Sequence, residues 1–171
     1  MKKTVVPALI LTVICFVAVA LLVLTNLLTA TRIEEAKRRA TASAAESVLP
    51  DARLEELNLE GIRGYIGYGS GGETVGYVFI NSAKGYGGDV TAIVGVSADG
   101  KITGVSVTAA DETPGLGANV SKDKFTSQFV GKDTADGYDA VSGATYSSEA
   151  ARESIDKALE NFKTVTEKGG K

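Results

Sequence analysis

Residues Asp139-Ala140-Val141-Ser142-Gly143-Ala144-Thr145-Tyr146-Ser147 form a small-residue loop that runs directly into an amphipathic segment. Gly143 and Ala144 leave room for a bulky group to approach the main chain, and Ser142, Thr145 and Ser147 supply hydroxyls around it. Downstream, Ala151, Ile155, Ala158, Leu159 and Phe162 recur at the spacing of one helix face. The first turn of such a helix points free N–H groups and the positive end of its macrodipole back at Thr145, which favours a phosphate. The expected chemistry is therefore a phosphate ester on Thr145, in a site already built for anions. No neighbouring base is available to activate the threonine, so the ester calls for a separate catalyst.

The composition narrows the chemistry further. The chain has no histidine, which excludes a Ser-His-Asp hydrolase, a His-ligated zinc or haem and a histidine proton shuttle within it. Its single cysteine, Cys15, lies inside an apolar run. One thiol makes no intrachain disulfide and holds no iron–sulfur cluster. No catalytic residue and no metal site are assigned, so redox chemistry has to come from an organic cofactor or another subunit. With a net charge of -3 and scattered Lys and Arg residues, no basic field invites nucleic acid.

The order Asp139-x-x-Ser142-Gly143-Ala144-Thr145-x-Ser147 resembles the flavinylation motif of the FMN-binding domain found in two ion-pumping respiratory complexes. A second block, Glu112-Thr113-Pro114-Gly115-Leu116-Gly117-Ala118 followed by Phe125 and Gln128-Phe129, is similar to the G subunit of Rnf-type ferredoxin:NAD oxidoreductases. That G-type protein is in turn related to the C subunit of the sodium-pumping NADH:quinone reductase. The resemblance implies a phosphothreonyl-FMN at Thr145, lined by Ser142, Gly143 and Ala144. It also implies a flavin transferase that installs FMN from FAD with magnesium and reads Asp139 and Ser147. Glu112, Thr113, Leu116 and Gly117 are then flavin contacts, offering a hydroxyl, an apolar surface and bare backbone to the ring. The plainer alternative is a strand-to-helix turn whose Glu112 faces water. Tyr86 joins the site only through the family's Gly-Tyr-x-Gly stretch; by itself Tyr86-Gly87-Gly88 reads as an ordinary flexible turn.

The implied role is a membrane-anchored electron-transfer subunit, not a stand-alone enzyme, in a complex that couples electron flow from ferredoxin to NAD to sodium or proton export. Its partners would be the membrane subunits of that complex, the flavin transferase during maturation and the lipid bilayer. Covalent attachment suits a domain outside the cytoplasm, where free FMN is scarce, because a tether removes the dependence on ligand concentration. Two readings share the chemistry: a C-type subunit of the sodium-translocating NADH:quinone reductase, and an FMN-bearing donor to an extracytoplasmic reductase. A cofactor-free, membrane-tethered binding module is the alternative of another class.

The elements that must hold this loop begin with an anchor. No residue from Thr4 to Thr31 is charged, and about twenty apolar residues span a ~30 Å hydrocarbon core. Residues 1–4 read as a tail and residues 5–28 as a transmembrane helix. A cleaved signal peptide competes, with Lys2-Lys3 before the run and Ala18-Val19-Ala20 as a cleavage site, but the apolar run continues through Leu27-Leu28. Counting Lys2 and Lys3 against Arg32, Lys37, Arg38 and Arg39 places the large domain in the cytoplasm; the resemblance places it outside. Residues 31–60 read as a helical stalk. Thr31-Arg32-Ile33-Glu34 fits a capping box, and Ile33, Ala36, Ala40, Ala44 and Val48 form a stripe suited to a stalk helix packing on a neighbour; a solvated charged helix continuing the membrane span is the alternative. Pro50 stops the helix, and Asp51–Leu59 makes a second short one.

Residues 61–165 read as the FMN-binding domain. Ile62–Tyr68, Thr74–Ile80, Val90–Ala98 and Ile102–Ala109 are short runs rich in Val, Ile, Thr and Tyr, hence strands, and their short connections require antiparallel pairing. Asp99-Gly100 predicts a two-residue hairpin with both residues at positive φ. Ser121 is expected to cap a helix whose Phe125 and Phe129 enter the core. The fold class is thus α+β, an antiparallel sheet with packed helices behind one transmembrane helix and a helical stalk, and residues 166–171 form a frayed tail.

Overall fold

The computed structural model describes residues 2–57, 59 and 61–169. The chain forms two compact units, Met1–Ala40 and Thr41–Lys171. Helix α1 (Lys2–Val48) is continuous for 47 residues, about 70 Å. Nothing interrupts it because residues 8–49 contain neither Gly nor Pro. The capping-box reading at Thr31 is therefore corrected: Thr31 lies inside the helix, and the alternative holds, a charged helix that continues the apolar segment. Phe16, Leu22 and Leu28 stand exposed on it. The apolar window of this helix is unburied among the described residues, which suits a lipid environment.

A second correction follows Pro50. Asp51 turns the chain at φ +62, and Arg53–Glu56 forms strand β1, not a helix. Strands β2 (Gly64–Tyr68), β3 (Thr74–Lys84), β4 (Asp89–Ser97) and β5 (Ile102–Thr108) continue an antiparallel meander in the order β1-β2-β3-β4-β5. Strand β3 runs four residues beyond the expected Ile80, where Ala83 opposes Val90, Lys84 opposes Asp89, and the Ser82 and Thr91 hydroxyls meet at 2.7 Å. The β4–β5 turn also differs from expectation. Only Gly100 takes positive φ, at +85, and the loop is closed by Gly100 N–H to Ser97 O (2.9 Å) and Ser97 N–H to Lys101 O (2.8 Å). This is the three-residue hairpin with a glycine bulge, in place of the two-residue form.

Two faces of the sheet are covered differently. Helix α3 (Thr145–Gly169) lays Ala151, Ile155, Ala158 and Leu159 on β3 and β4, burying Phe79, Val90, Val94 and Val96. The expected frayed tail is corrected as far as Gly169, which is helical; residues 170–171 lie outside the described residues. Helix α2 (Asp123–Thr126) brings Phe125 against Phe129, with ring centroids 5.4 Å apart, and both are buried in the same core. Ser121 does not cap α2: Lys122 holds the cap position, and the Ser121 hydroxyl donates to Ala118 O instead.

The opposite face receives Ala45, Val48 and Leu49 at the end of α1. Glycines make the approach possible. A Cβ on Gly67 would meet Leu49 Cδ2 at 2.5 Å, and one on Gly104 would meet Val48 Cα at 2.8 Å. The Thr103 hydroxyl donates to Val48 O, satisfying a carbonyl that the helix end leaves open. Gly104→Val should therefore lower stability by about 1–3 kcal/mol through overpacking. Thermal unfolding of the full chain in detergent, followed by circular dichroism, checks this; an unchanged midpoint contradicts it.

Candidate functional site

The loop before α3 is closed on the helix by its own polar groups. Ala144 N–H donates to Val141 O at 2.9 Å. Buried Ser148 donates its hydroxyl to Ala144 O at 2.9 Å and accepts from Val141 N–H at 3.0 Å. Ser148 N–H also reaches Ala144 O (2.9 Å), which puts Ala144 at the cap position with no side chain to cap anything. Among the described residues, the N–H groups of Thr145, Tyr146 and Ser147 have no partner within the chain. Thr145 is the first residue of α3 and is exposed. An anion there gains typically ~0.3–1 kcal/mol from the helix end, up to ~2 kcal/mol in a favourable site.

Gly143 needs its glycine. Its φ is +76, and a Cβ would press on Leu116 Cδ1 at 3.0 Å. That contact brings the second block to the loop. Leu116 and Thr113 remain on the surface, while Gly117 is buried so closely that a Cβ would run into the Glu112 carboxylate and the Ser147 hydroxyl. Thr113 O accepts from Leu116 N–H (3.1 Å) and Ala118 N–H (3.2 Å), fixing the turn between them.

Glu112 corrects the expectation of a turn residue facing water: it is 4% exposed, accepts from the Ser147 hydroxyl at 2.8 Å on Oε2 and accepts from Gly87 N–H at 3.1 Å on Oε1. Ser147, expected to be read by a transferase, is 2% exposed and spends its hydroxyl on this contact. Burial pushes the Glu112 carboxyl up, but the Ser147 hydroxyl and the amides of Gly87, Tyr86 and Gly88 outweigh it and hold the group below its usual 4.5.

The Tyr86 loop is the third segment, and it is no ordinary flexible turn. Gly85 N–H closes it onto Gly88 O at 2.8 Å. A Cβ on Gly85 would strike the Glu112 carboxylate and one on Gly87 the Asp111 carbonyl, so the glycines are there for close approach. The Tyr86 ring stands 78% exposed, as does Tyr146 beside Thr145 at 75%. The structure thus brings Thr145, Gly143, Leu116, Gly117 and the Tyr86 loop into one neighbourhood. Ser142 lies exposed at its edge, and Ala144 turns inward.

Asp139 is exposed, with both its backbone groups held by one side chain. Gln128 accepts from Asp139 N–H at 2.7 Å and donates to Asp139 O at 3.2 Å. Tyr138 packs on Phe125 and Phe129 and donates to Glu149 at 2.9 Å. Burial, then Glu149, raises the Tyr138 hydroxyl's pKa, while Arg152 first and Tyr138 second hold the Glu149 carboxyl down. Sequence reading assigned no role to Ser148 or to the side chain of Gln128; the only signal was a second serine after Ser147 and a Gln beside the core Phe129.

The lowered Glu112 pKa fixes the sign of an acid effect. The folded state binds its proton less readily than the unfolded state, so the added stability is full above about pH 4.5 and is lost as pH falls through the folded value. Acid titration of the unfolding midpoint should show a component in wild type that is missing from Glu112→Gln. Identical acid slopes for the two would contradict it.

Residues 85–160 match the family model described as the FMN-binding domain, and residues 1–48 match the RnfG N-terminal region. The chain is 36% identical over 176 residues to the G subunit of the Na(+)-translocating ferredoxin:NAD(+) oxidoreductase complex of Acetobacterium woodii, covering 92% of this chain and 84% of that one. It is 40% identical over 112 residues to the G subunit of the proton-translocating ferredoxin:NAD(+) oxidoreductase complex of Clostridium ljungdahlii. That second match covers 59% of this chain and 60% of the relative, less than two thirds of its length. Among solved structures, the C subunit of the Na(+)-translocating NADH-quinone reductase from Parabacteroides distasonis aligns at 24% identity with a TM-score of 0.46, covering 61% of this chain and 59% of that one.

Proposed function

Because the chain belongs to the family of G subunits of ion-translocating ferredoxin:NAD(+) oxidoreductase complexes, we propose that it is the membrane-anchored electron-transfer subunit of such a complex and carries FMN esterified to Thr145. One observation supports the attachment point above the others. Thr145 stands exposed at the first position of a 25-residue helix whose opening amides are free, beside a glycine at positive φ and an exposed leucine.

The residues present suit the group. The Thr145 oxygen would hold the phosphate, and the amides of Thr145, Tyr146 and Ser147, which have no partner among the described residues, would stabilise its charge. Leu116, Tyr86 and Tyr146 offer exposed apolar and aromatic surfaces for a planar ring, and Thr113 offers a hydroxyl. When bound, the flavin itself carries the electrons; the chain supplies position and electrostatics. In maturation, the Thr145 hydroxyl would be the acceptor for the FMN phosphoryl group of FAD, losing its proton to the catalyst's base, with AMP as the leaving group. A flavin transferase would supply the base and the magnesium, since no cluster able to hold a metal is found among the described residues.

The domain is assigned to the extracytoplasmic side, where such a transferase works, against the count of Lys and Arg around the span. Protease added to intact spheroplasts should cleave it; protection until the membrane is opened would reverse that assignment. The attachment is tested by incubating the full chain, expressed without a flavin transferase, with FAD, magnesium and the purified transferase. The expected product has flavin absorption that survives denaturation, at one FMN per chain. A colourless chain, or flavin released on unfolding, overturns the proposal.

A further inference from the structure

Glu112 lies where the three segments meet, buried, with each of its oxygens already accepting a hydrogen bond from within the chain. A carboxylate in such a place is costly unless fully satisfied, and an apolar residue would fill the same space at less expense. Its presence is better explained by what it ties together. One oxygen holds the amide of Gly87, 25 residues away, and the other holds the hydroxyl of Ser147, 35 residues away. Gly85 and Gly117 leave the room: a Cβ on the first would strike Oε1, and one on the second Oε2.

We propose that Glu112 is a positioning residue that clamps the Tyr86 loop to the first turn of α3, so that Tyr86 walls the planar group attached at Thr145 while Glu112 never touches it. The second half rests on the Thr145 reading; the clamp does not. Glu112→Ala leaves the Gly87 amide and the Ser147 hydroxyl without their acceptor. Glu112→Gln keeps both contacts, since its carbonyl accepts from Gly87 and its amide donates to the Ser147 oxygen once the hydroxyl proton turns away.

Hydrogen–deuterium exchange on the full chain in detergent, never exposed to flavin, tests the clamp. Exchange across residues 85–88 should be about tenfold faster in Glu112→Ala, the effect of one lost net hydrogen bond. It should stay near wild type in Glu112→Gln, with peptides from β4 and α3 unchanged throughout. Ser147→Ala, which cuts only the helix arm, should shift exchange in the same direction by less, and it serves if Glu112→Ala does not fold. In flavin-loaded chains, fluorescence anisotropy of the flavin should fall in the Ala variants and recover in Glu112→Gln. Equal exchange in wild type, Glu112→Ala and Ser147→Ala overturns the clamp. Faster exchange with unaltered anisotropy overturns the positioning role alone. Wild-type chains with no flavin at Thr145 overturn the reading beneath it, and the exchange result stands apart from that.

Discussion

Thr145→Ala should abolish covalent flavin incorporation while leaving the fold intact. The side chain is exposed and makes no hydrogen bond among the described residues, so its removal should change stability by no more than ~0.5 kcal/mol. No neighbouring hydroxyl should replace it. Ser147 is buried and committed to Glu112, and Ser148 is buried and committed to Ala144. Ser142 is exposed but precedes the helix, across the left-handed turn at Gly143. Visible absorption of denatured protein, normalised to chain concentration, reads the effect. Wild-type levels in Thr145→Ala would move the attachment elsewhere.

Gly143→Val should reduce incorporation by tenfold or more. A β-branched side chain at φ +76 is strained by about 1–2 kcal/mol or more, and its Cβ starts 3.0 Å from Leu116 Cδ1. Relief requires the loop to leave the geometry that presents Thr145. Gly131→Ala is the control. It carries the same kind of strain at φ +82 with nothing within 4 Å, and it lies outside the site. Time courses with purified transferase separate the two. Equal slowing in both variants would mean that backbone strain in general, and not the shape of this entrance, is responsible.

The sheet was largely legible in the chain because Val, Ile, Thr and Tyr alternate between turn residues, and β2 to β5 follow those runs. Strand β1 was not. Arg53-Leu54-Glu55-Glu56 is made of helix formers, and pairing of Arg53 with Tyr68 and Leu54 with Gly67 overrides that local preference. The capping pattern at Thr31 misled for the opposite reason, since uninterrupted helix-compatible residues on both sides leave no break for a cap to serve. At the site, Thr145, Gly143 and the following helix could be read from local order. The inward turn of Glu112 could not, because its partners lie 25 and 35 residues away. A Glu beside Pro and Gly looks the same whether it faces solvent or binds a distant amide. The glycines at 85, 87 and 117 were the available signal, as clustered residues without Cβ mark close approach.

Trypsin releases residues 133–152 as one peptide, which holds Thr134, Ser142, Thr145, Ser147 and Ser148 together. Tandem mass spectrometry of that peptide, from complex purified out of native membranes, tests the assignment most directly. The proposed attachment predicts one FMN, with fragment ions locating it on Thr145. A bare peptide, or FMN on any of the other hydroxyls, would contradict it.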